Sequence, residues 1–163
     1  MARITAQEGL RPSIIDRLVD PESEGTSWRR GYSVEQMIDV VRRDLEDLLN
    51  THRMILDIPE EFAEVRRSTV AFGVPDPTSY ESSGRDGPRR VCAVIEEAIA
   101  MFEPRLTDVQ VIPLGSASAQ SLRLEFEIRA TLRLDPSPEV AFVTLLKLTT
   151  GEATIQRAGG PDR

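Results

Sequence analysis

The sequence predicts an α+β fold, in which N-terminal helices and one long central helix pack on a small, mostly antiparallel sheet with a long C-terminal β-hairpin. Apolar residues recur at helical spacing through the N-terminal part of the chain and alternate with polar residues from Val109 onward. A chain of 163 residues with 40% hydrophobic content has the size of one domain with one core. We expect that domain to span residues 14–151, between a flexible N-terminus (1–13) and a flexible C-terminal tail (152–163).

The composition of the chain disfavours several classes of function. The net charge of −7 disfavours binding to nucleic acid or to an anionic membrane, because both require a basic protein surface. Cys92 is the only cysteine and His52 the only histidine, so no internal disulfide can form, and we expect no metal and no cofactor. Of the 20 basic residues, 19 are arginines, which favour carboxylate contacts at interfaces, although genomic base composition produces the same bias.

The hydropathy pattern indicates where in the cell the protein is expected to reside. No apolar run approaches the ~20 residues that span a bilayer. The N-terminus also lacks the basic start and apolar stretch of a signal peptide. We therefore expect a cytoplasmic protein without direct membrane insertion.

Two amphipathic helices are predicted in the first third of the chain. The first carries Ile14, Ile15, Leu18 and Val19, and the second carries Val34, Met37, Ile38, Val41, Leu45, Leu48 and Leu49. Ser33 and Gln36 have the spacing of a capping box, which marks the start of the second helix. His52 follows its last turn, where positive charge suits the helix dipole, so this residue requires no catalytic role.

A third helical segment and a loop precede the fourth helix. Pro59 opens the third segment, which runs through Phe62, Val65, Thr69 and Val70 and ends before Gly73. Residues 75–88 are rich in proline, glycine and serine, which is typical of an exposed loop. The fourth helix buries Val91, Val94, Ile95, Ala98, Ile99 and Phe102, and Cys92 near the edge of this face is predicted to be a buried structural thiol.

The remaining pattern has the period of β-strands. Val109, Val111 and Ile112 predict a short strand, and Leu122, Leu124, Phe126, Ile128, Ala130, Leu132 and Leu134 predict a long one. Residues 135–138 form a turn, and residues 140–148 return as the antiparallel partner. Thirteen residues of strand would extend about 44 Å. We therefore expect the hairpin to bend or project, with an edge that is either covered or able to accept a partner's strand.

The corner between the fourth helix and the sheet contains Glu103, Pro104 and Arg105. Pro104 lacks an amide hydrogen and ends the helix near Phe102, which places Glu103 at the negative end of the helix dipole. Arg105 is the nearest compensating cation. A Glu and an Arg at a rigid corner can pair with each other, cap local backbone or dock a second chain.

Five segments of the sequence occur in an order typical of one family. They are RPSIIDRLVD (11–20), RRDLEDLLNTHR (42–53), STVAFGVPD (68–76), FEPRL (102–106) after an IEEAI helix, and LEFEIRATL (124–132). Over residues 11–151 the chain resembles the contractile-tail baseplate wedge family, historically labelled lysozyme-like. The first two segments resemble its type VI secretion branch more than its phage branch.

This resemblance implies a structural, non-enzymatic role at a cytoplasmic baseplate associated with the inner membrane. It implies docking to other baseplate wedge subunits and to contractile sheath subunits, whose assembly the protein would initiate. Glu103, Pro104 and Arg105 would be the interaction signature. The docking surface would lie on the hairpin strands and would include Leu124, Phe126, Ile128, Phe142 and Thr144.

Two alternatives remain at this point. A phage or phage-derived tail wedge would share the same fold and mechanism. A lysozyme-like glycan hydrolase would need two carboxylates about 5 to 9.5 Å apart in a cleft. Glu103 has no evident acidic partner at its corner, which disfavours the hydrolase.

Overall fold

The computed structural model describes residues 4–5, 14, 18, 32–53, 58–76, 86–114 and 123–158. The helices are α1 (Val34–Asn50), α2 (Ala63–Arg66) and α3 (Gly87–Phe102), with a 3-10 turn at Thr69–Ala71. The strands are β1 (Ile4–Thr5), β2 (Leu106–Pro113), β3 (Arg123–Leu132), β4 (Leu134–Asp135), β5 (Glu139–Lys147) and β6 (Ala153–Arg157). The predicted α+β fold class is confirmed.

An antiparallel sheet with the order β2-β3-β5-β6 forms one layer of the fold. β3 and β5 pair from Arg123 opposite Lys147 to Thr131 opposite Glu139. The pairing of β2 with β3 is interrupted between Thr107 and Gln110, where the register shifts. β1 and β4 form a separate two-residue parallel pair.

The core lies between this sheet and the helices α1 and α3. Alternate side chains of β3 and β5 are fully buried, among them Phe126, Ile128 and Phe142. Helix α1 contributes Met37, Ile38, Val41, Leu45, Leu48 and Leu49, and α3 contributes Val91, Cys92, Ile95, Ala98 and Ile99. The opposite sheet face is largely polar, as the alternating pattern of the hairpin predicts.

A local sequence signal marks the start of α1, and a contact with a distant segment follows its end. The Ser33 hydroxyl accepts a hydrogen bond from the Gln36 amide at 3.2 Å, and the Gln36 side chain accepts one from the Ser33 amide at 2.9 Å. This confirms the predicted capping box. After Thr51 the chain pairs with residues 73–74, where Gly73 has φ +104 and a Cβ would lie 2.2 Å from the Thr51 carbonyl oxygen. This position therefore requires glycine.

The predicted third helical segment is wrong as a continuous element. The chain forms the four-residue α2 and then a separate 3-10 turn. The two are separated because the Ser68 backbone is extended and the Ser68 hydroxyl accepts a hydrogen bond from the Val70 amide at 3.3 Å. Phe62, Val65 and Val70 are exposed. Ile14 and Leu18 of the predicted first helix are helical and exposed. Most of the predicted 75–88 loop (77–85) and Leu122 lie outside the described residues.

The hairpin edges are covered, which is one of the two outcomes that the sequence left open. β3 pairs with β2 on one side and β5 on the other, and β5 pairs with β6. Residues 153–157, which the sequence placed in a flexible tail, form β6 and return along β5 after a turn at Gly151, whose φ is 69°. None of the described helices is long and apolar enough to cross a membrane.

Candidate functional site

The corner between α3 and β2 has the predicted position and a defined backbone. α3 ends at Phe102, and the Glu103 amide still donates to the Ile99 carbonyl at 2.9 Å. Pro104 is exposed and cannot extend the helix. The Leu106 amide donates to the Glu103 carbonyl at 3.1 Å and begins β2. The sharp turn therefore brings the side chains of Glu103 and Arg105 to the same side.

Glu103, Arg105 and Asp44 of α1 form one hydrogen-bonded group, which we name the corner cluster. Glu103 Oε1 accepts hydrogen bonds from the Arg105 backbone amide at 3.1 Å and from Arg105 Nε at 2.6 Å. Glu103 Oε2 pairs with Arg105 Nη2. The same Nη2 donates to Asp44 Oδ2 at 2.6 Å. One guanidinium therefore joins the end of α3 to the middle of α1.

Burial differs between the members of the corner cluster. Glu103 is 4% exposed and is one of two buried polar residues among those described, whereas the side chains of Arg105 and Asp44 are about one third exposed. Desolvation lowers the pKa of Arg105, but hydrogen bonds and charges from Glu103 and Asp44 outweigh it and raise the pKa above its ordinary value. Arg105 is thus fixed as a cation. Of the three roles that the sequence left open, Glu103 pairs with Arg105 and also caps the local backbone.

A groove of about 360 Å³ opens beside the corner cluster, and we name it the corner groove. Its apolar lining is Leu48, Phe72 and Phe102, and its charged lining is Arg43, Asp44, Asp47, Glu103 and Arg105. The rings of Phe72 and Phe102 meet edge to face, with centroids 5.3 Å apart and an interplanar angle of 73°. The groove therefore offers an apolar surface next to fixed charges of both signs.

The sequence missed Asp44 as part of this site. Asp44 lies 61 residues before Arg105, on an amphipathic helix whose polar face carries several other charges. Nothing in the RRDLEDLL segment distinguishes this carboxylate from Asp47. Its role follows from the crossing of α1 with the end of α3, which sequence spacing does not reveal.

The five hairpin residues predicted to form a docking surface lie in the core. Leu124, Phe126, Ile128, Phe142 and Thr144 are all buried beneath the helices. Their alternation reflects the inner face of the sheet, so their side chains are not available to a partner. The structure thus separates the predicted site residues into an accessible corner and an inaccessible core.

Cys92 is buried on α3, as the sequence predicted. Desolvation, and then the nearby charge of Glu96, raise the pKa of its thiol to about 11. A thiol with that pKa is protonated at neutral pH and is a poor nucleophile. Cys92 therefore acts as a core residue.

The corner does not have the geometry of a glycosidase site. A glycosidase needs one carboxyl group free to protonate the leaving group and a second carboxylate across a cleft. Both oxygens of Glu103 already accept hydrogen bonds from Arg105, and the same guanidinium holds Asp44. In the described ranges, no three His, Cys, Asp or Glu side chains are grouped closely enough to hold a metal ion.

Comparison with known proteins supplies the family. Residues 35–137, well over half of the chain, match the family described as baseplate wedge protein gp25, which includes TssE. The matched range runs from the first turn of α1 through the corner to the turn after β4. A search of curated proteins gave no match. On the strength of the family match, which agrees with the order of segments in the sequence, this chain belongs to the baseplate wedge protein gp25 family.

Proposed function

We propose that this chain is the TssE-type wedge subunit of a type VI secretion baseplate, where it docks other baseplate proteins through the corner and initiates assembly of the contractile sheath. Membership of the wedge family supports a structural role in a phage-like contractile tail. The type VI assignment is supported by the resemblance of residues 11–20 and 42–53 to that branch. In this role the protein would work in the cytoplasm, at the baseplate associated with the inner membrane.

The single observation that supports docking at the corner is its combination of rigidity and exposure. Glu103 is buried and holds Arg105 by three hydrogen bonds, so the guanidinium is fixed before any partner arrives. Pro104 is exposed beside it, and its ring has no conformational freedom to lose on binding. A preorganised surface of this kind binds with a smaller entropic cost than a mobile one.

The corner groove indicates the chemistry of the partner. The half-buried rings of Phe72 and Phe102 can receive an apolar side chain. Asp47 lies in the same lining, so that a basic group next to the apolar side chain would meet a carboxylate. We therefore expect the partner segment to present an apolar anchor flanked by arginine or lysine.

A phage or phage-derived tail wedge is the second candidate, because the family match covers that function equally. Both candidates use the same fold and the same docking corner. They differ in which neighbouring proteins the chain binds. Capture experiments with the two sets of neighbours therefore distinguish them.

The test is co-purification of the tagged full-length chain with candidate wedge and sheath subunits of a type VI system and, separately, of a phage tail. We expect selective capture from the type VI set. Capture from the phage set alone would replace the proposal with the second candidate. No capture from either set, by a chain that circular dichroism shows to be folded, would contradict both.

The chain offers a matched control for the corner. Glu127 and Arg129 on β3 are also two residues apart and paired, with Arg129 Nε 2.8 Å from Glu127 Oε2, but they lie away from the corner. The Glu103→Ala/Arg105→Ala variant should lose capture, whereas the Glu127→Ala/Arg129→Ala variant should keep it. Equal loss in both variants would show that the effect is not specific to the corner and would contradict docking at this site.

A further inference from the structure

The outer edge of β6 is closed by side chains of α1. β6 ends the described four-stranded sheet, so the backbone groups that point away from β5 have no neighbouring strand. An exposed sheet edge of this kind pairs readily with a strand of another molecule. The Glu152 carbonyl and the Ala158 amide both bond to β5, so by alternation the backbone groups of Ala153, Ile155 and Arg157 face outward.

The outward backbone groups of Ala153 and Ile155 are satisfied by α1. The Asn50 side chain donates to the Ala153 carbonyl at 3.0 Å and accepts from the Ala153 amide at 2.9 Å, which reproduces the pair of bonds made by a neighbouring strand. Glu46 Oε1 accepts from the Ile155 amide at 3.3 Å. Arg42 Nη1 donates to the Ile155 carbonyl at 3.4 Å. We name Arg42, Glu46 and Asn50 the edge cap.

The spacing of the edge cap fits the strand. Asn50 and Glu46 are four residues apart, which is about 6 Å along a helix axis. Ala153 and Ile155 are two residues apart, which is about 7 Å along a strand. About one turn of α1 therefore covers nearly the same distance as two residues of β6, so successive edge-cap side chains reach successive outward residues. Arg42 also pairs with Glu46 at 3.0 Å, which fixes the carboxylate that receives the Ile155 amide.

The opposite edge is blocked by different means. On β2, Glu96 Oε2 accepts the outward amide of Val111 at 3.0 Å, and Pro113 has no amide hydrogen to offer. The register also shifts near Asp108, whose φ is +54°. A bulge of this kind disrupts pairing with an added strand. β6 has no proline or bulge among its five residues, so its protection comes from the edge cap.

From these contacts we propose that the edge cap prevents a second copy of this chain from pairing along β6. Without the cap, the outward groups of Ala153 and Ile155 would meet the same groups of another molecule. Two antiparallel copies of β6 pair around a two-fold axis and satisfy each other, which makes a second copy the fitting occupant. This inference does not depend on the docking role proposed for the corner.

The test compares the mass in solution of the native chain and of the Arg42→Ala/Glu46→Ala/Asn50→Ala variant over a hundredfold range of concentration. Alanine favours the helix, so α1 should persist. We expect the mass of the variant to rise with concentration to at least twice that of the native protein. The Arg90→Ala/Glu97→Ala variant removes one basic and one acidic side chain from the exposed face of α3, outside both the edge cap and the corner groove, and should behave like the native chain. A folded triple variant with native mass throughout would overturn the proposal.

A milder variant gives an independent readout if the triple variant fails to fold. In dilute Asn50→Ala, the amide of Ala153 loses its partner while that of Thr154 still faces β5. Hydrogen exchange at Ala153 should accelerate at least tenfold, with Thr154 unchanged. Unchanged exchange at Ala153 would show that the edge cap does not protect this edge and would overturn the proposal.

Discussion

At the scale of single residues, Glu103 and Arg105 have unequal roles in stability. Glu103 is buried and its carboxylate depends on Arg105, whereas Arg105 is partly exposed and has Asp44 as a second partner. Removal of Arg105 therefore leaves a buried, uncompensated anion, whereas removal of Glu103 leaves a cation that is still paired with Asp44. The first state is far more costly than the second.

This asymmetry predicts a particular double-mutant cycle. Arg105→Ala should lower the free energy of unfolding by about 3 kcal/mol, because Glu103 is left buried without a cation. The Glu103→Ala/Arg105→Ala variant should lose only about 1 kcal/mol, because both charges are gone. Urea denaturation of both single variants and the double variant provides the measurement. A double variant at least as unstable as the sum of the two single variants would contradict this account.

Thr144 provides a second prediction at this scale. Its hydroxyl is fully buried in β5 and has no hydrogen-bond partner among the described residues. A buried hydroxyl without a partner loses its hydrogen bonds to water and gains none within the protein. Valine has nearly the same shape and no hydroxyl. Thr144→Val should therefore raise the free energy of unfolding by about 1 kcal/mol in urea denaturation. A clear decrease would show that the hydroxyl is bonded.

At the scale of elements, strong periodicity allowed correct prediction and weak periodicity did not. α1, α3, β3 and β5 each carry three or more core residues at regular spacing, and all were predicted. β6 has only Ala153 and Ile155 as buried positions, too few to be distinguished from a tail. It is held by pairing with β5 and by the edge cap, both of which depend on tertiary contacts.

The capping box of α1 gives a prediction for an element. Ser33→Ala removes the acceptor of the Gln36 amide at the exposed start of the helix. The free energy of unfolding should fall by about 1 kcal/mol, which is typical for the loss of an N-cap. Thermal or urea denaturation would measure the change. An unchanged stability would mean that tertiary packing alone fixes the start of α1.

At the scale of the whole molecule, the sequence predicted the position of the corner but not the other parts of the site, which are Asp44 and the corner groove. The residues Glu103, Pro104 and Arg105 were identified together because proline marks a helix end and the segment resembles the wedge family. Asp44 and the corner groove arise where α1 crosses the end of α3. The side chains named for a docking surface on the hairpin came from the family resemblance, whereas their apolar alternation assigns them to the inner face of the sheet, where they are buried.

The corner has a structural role within the chain and, in our proposal, a docking role outside it. Its internal role is visible in the hydrogen bonds that join α3 to α1. Its external role requires that loss of the corner weakens docking by more than it weakens the fold. The two roles can be separated because affinity and stability are measured independently.

The most direct test measures both quantities for the Glu103→Ala/Arg105→Ala and Glu127→Ala/Arg129→Ala variants with a captured baseplate partner. We predict that the two variants melt within a few degrees of each other, and that only the corner variant loses at least tenfold in affinity. A corner variant that melts many degrees lower but binds the partner as tightly as the native chain would show that the corner serves only the fold.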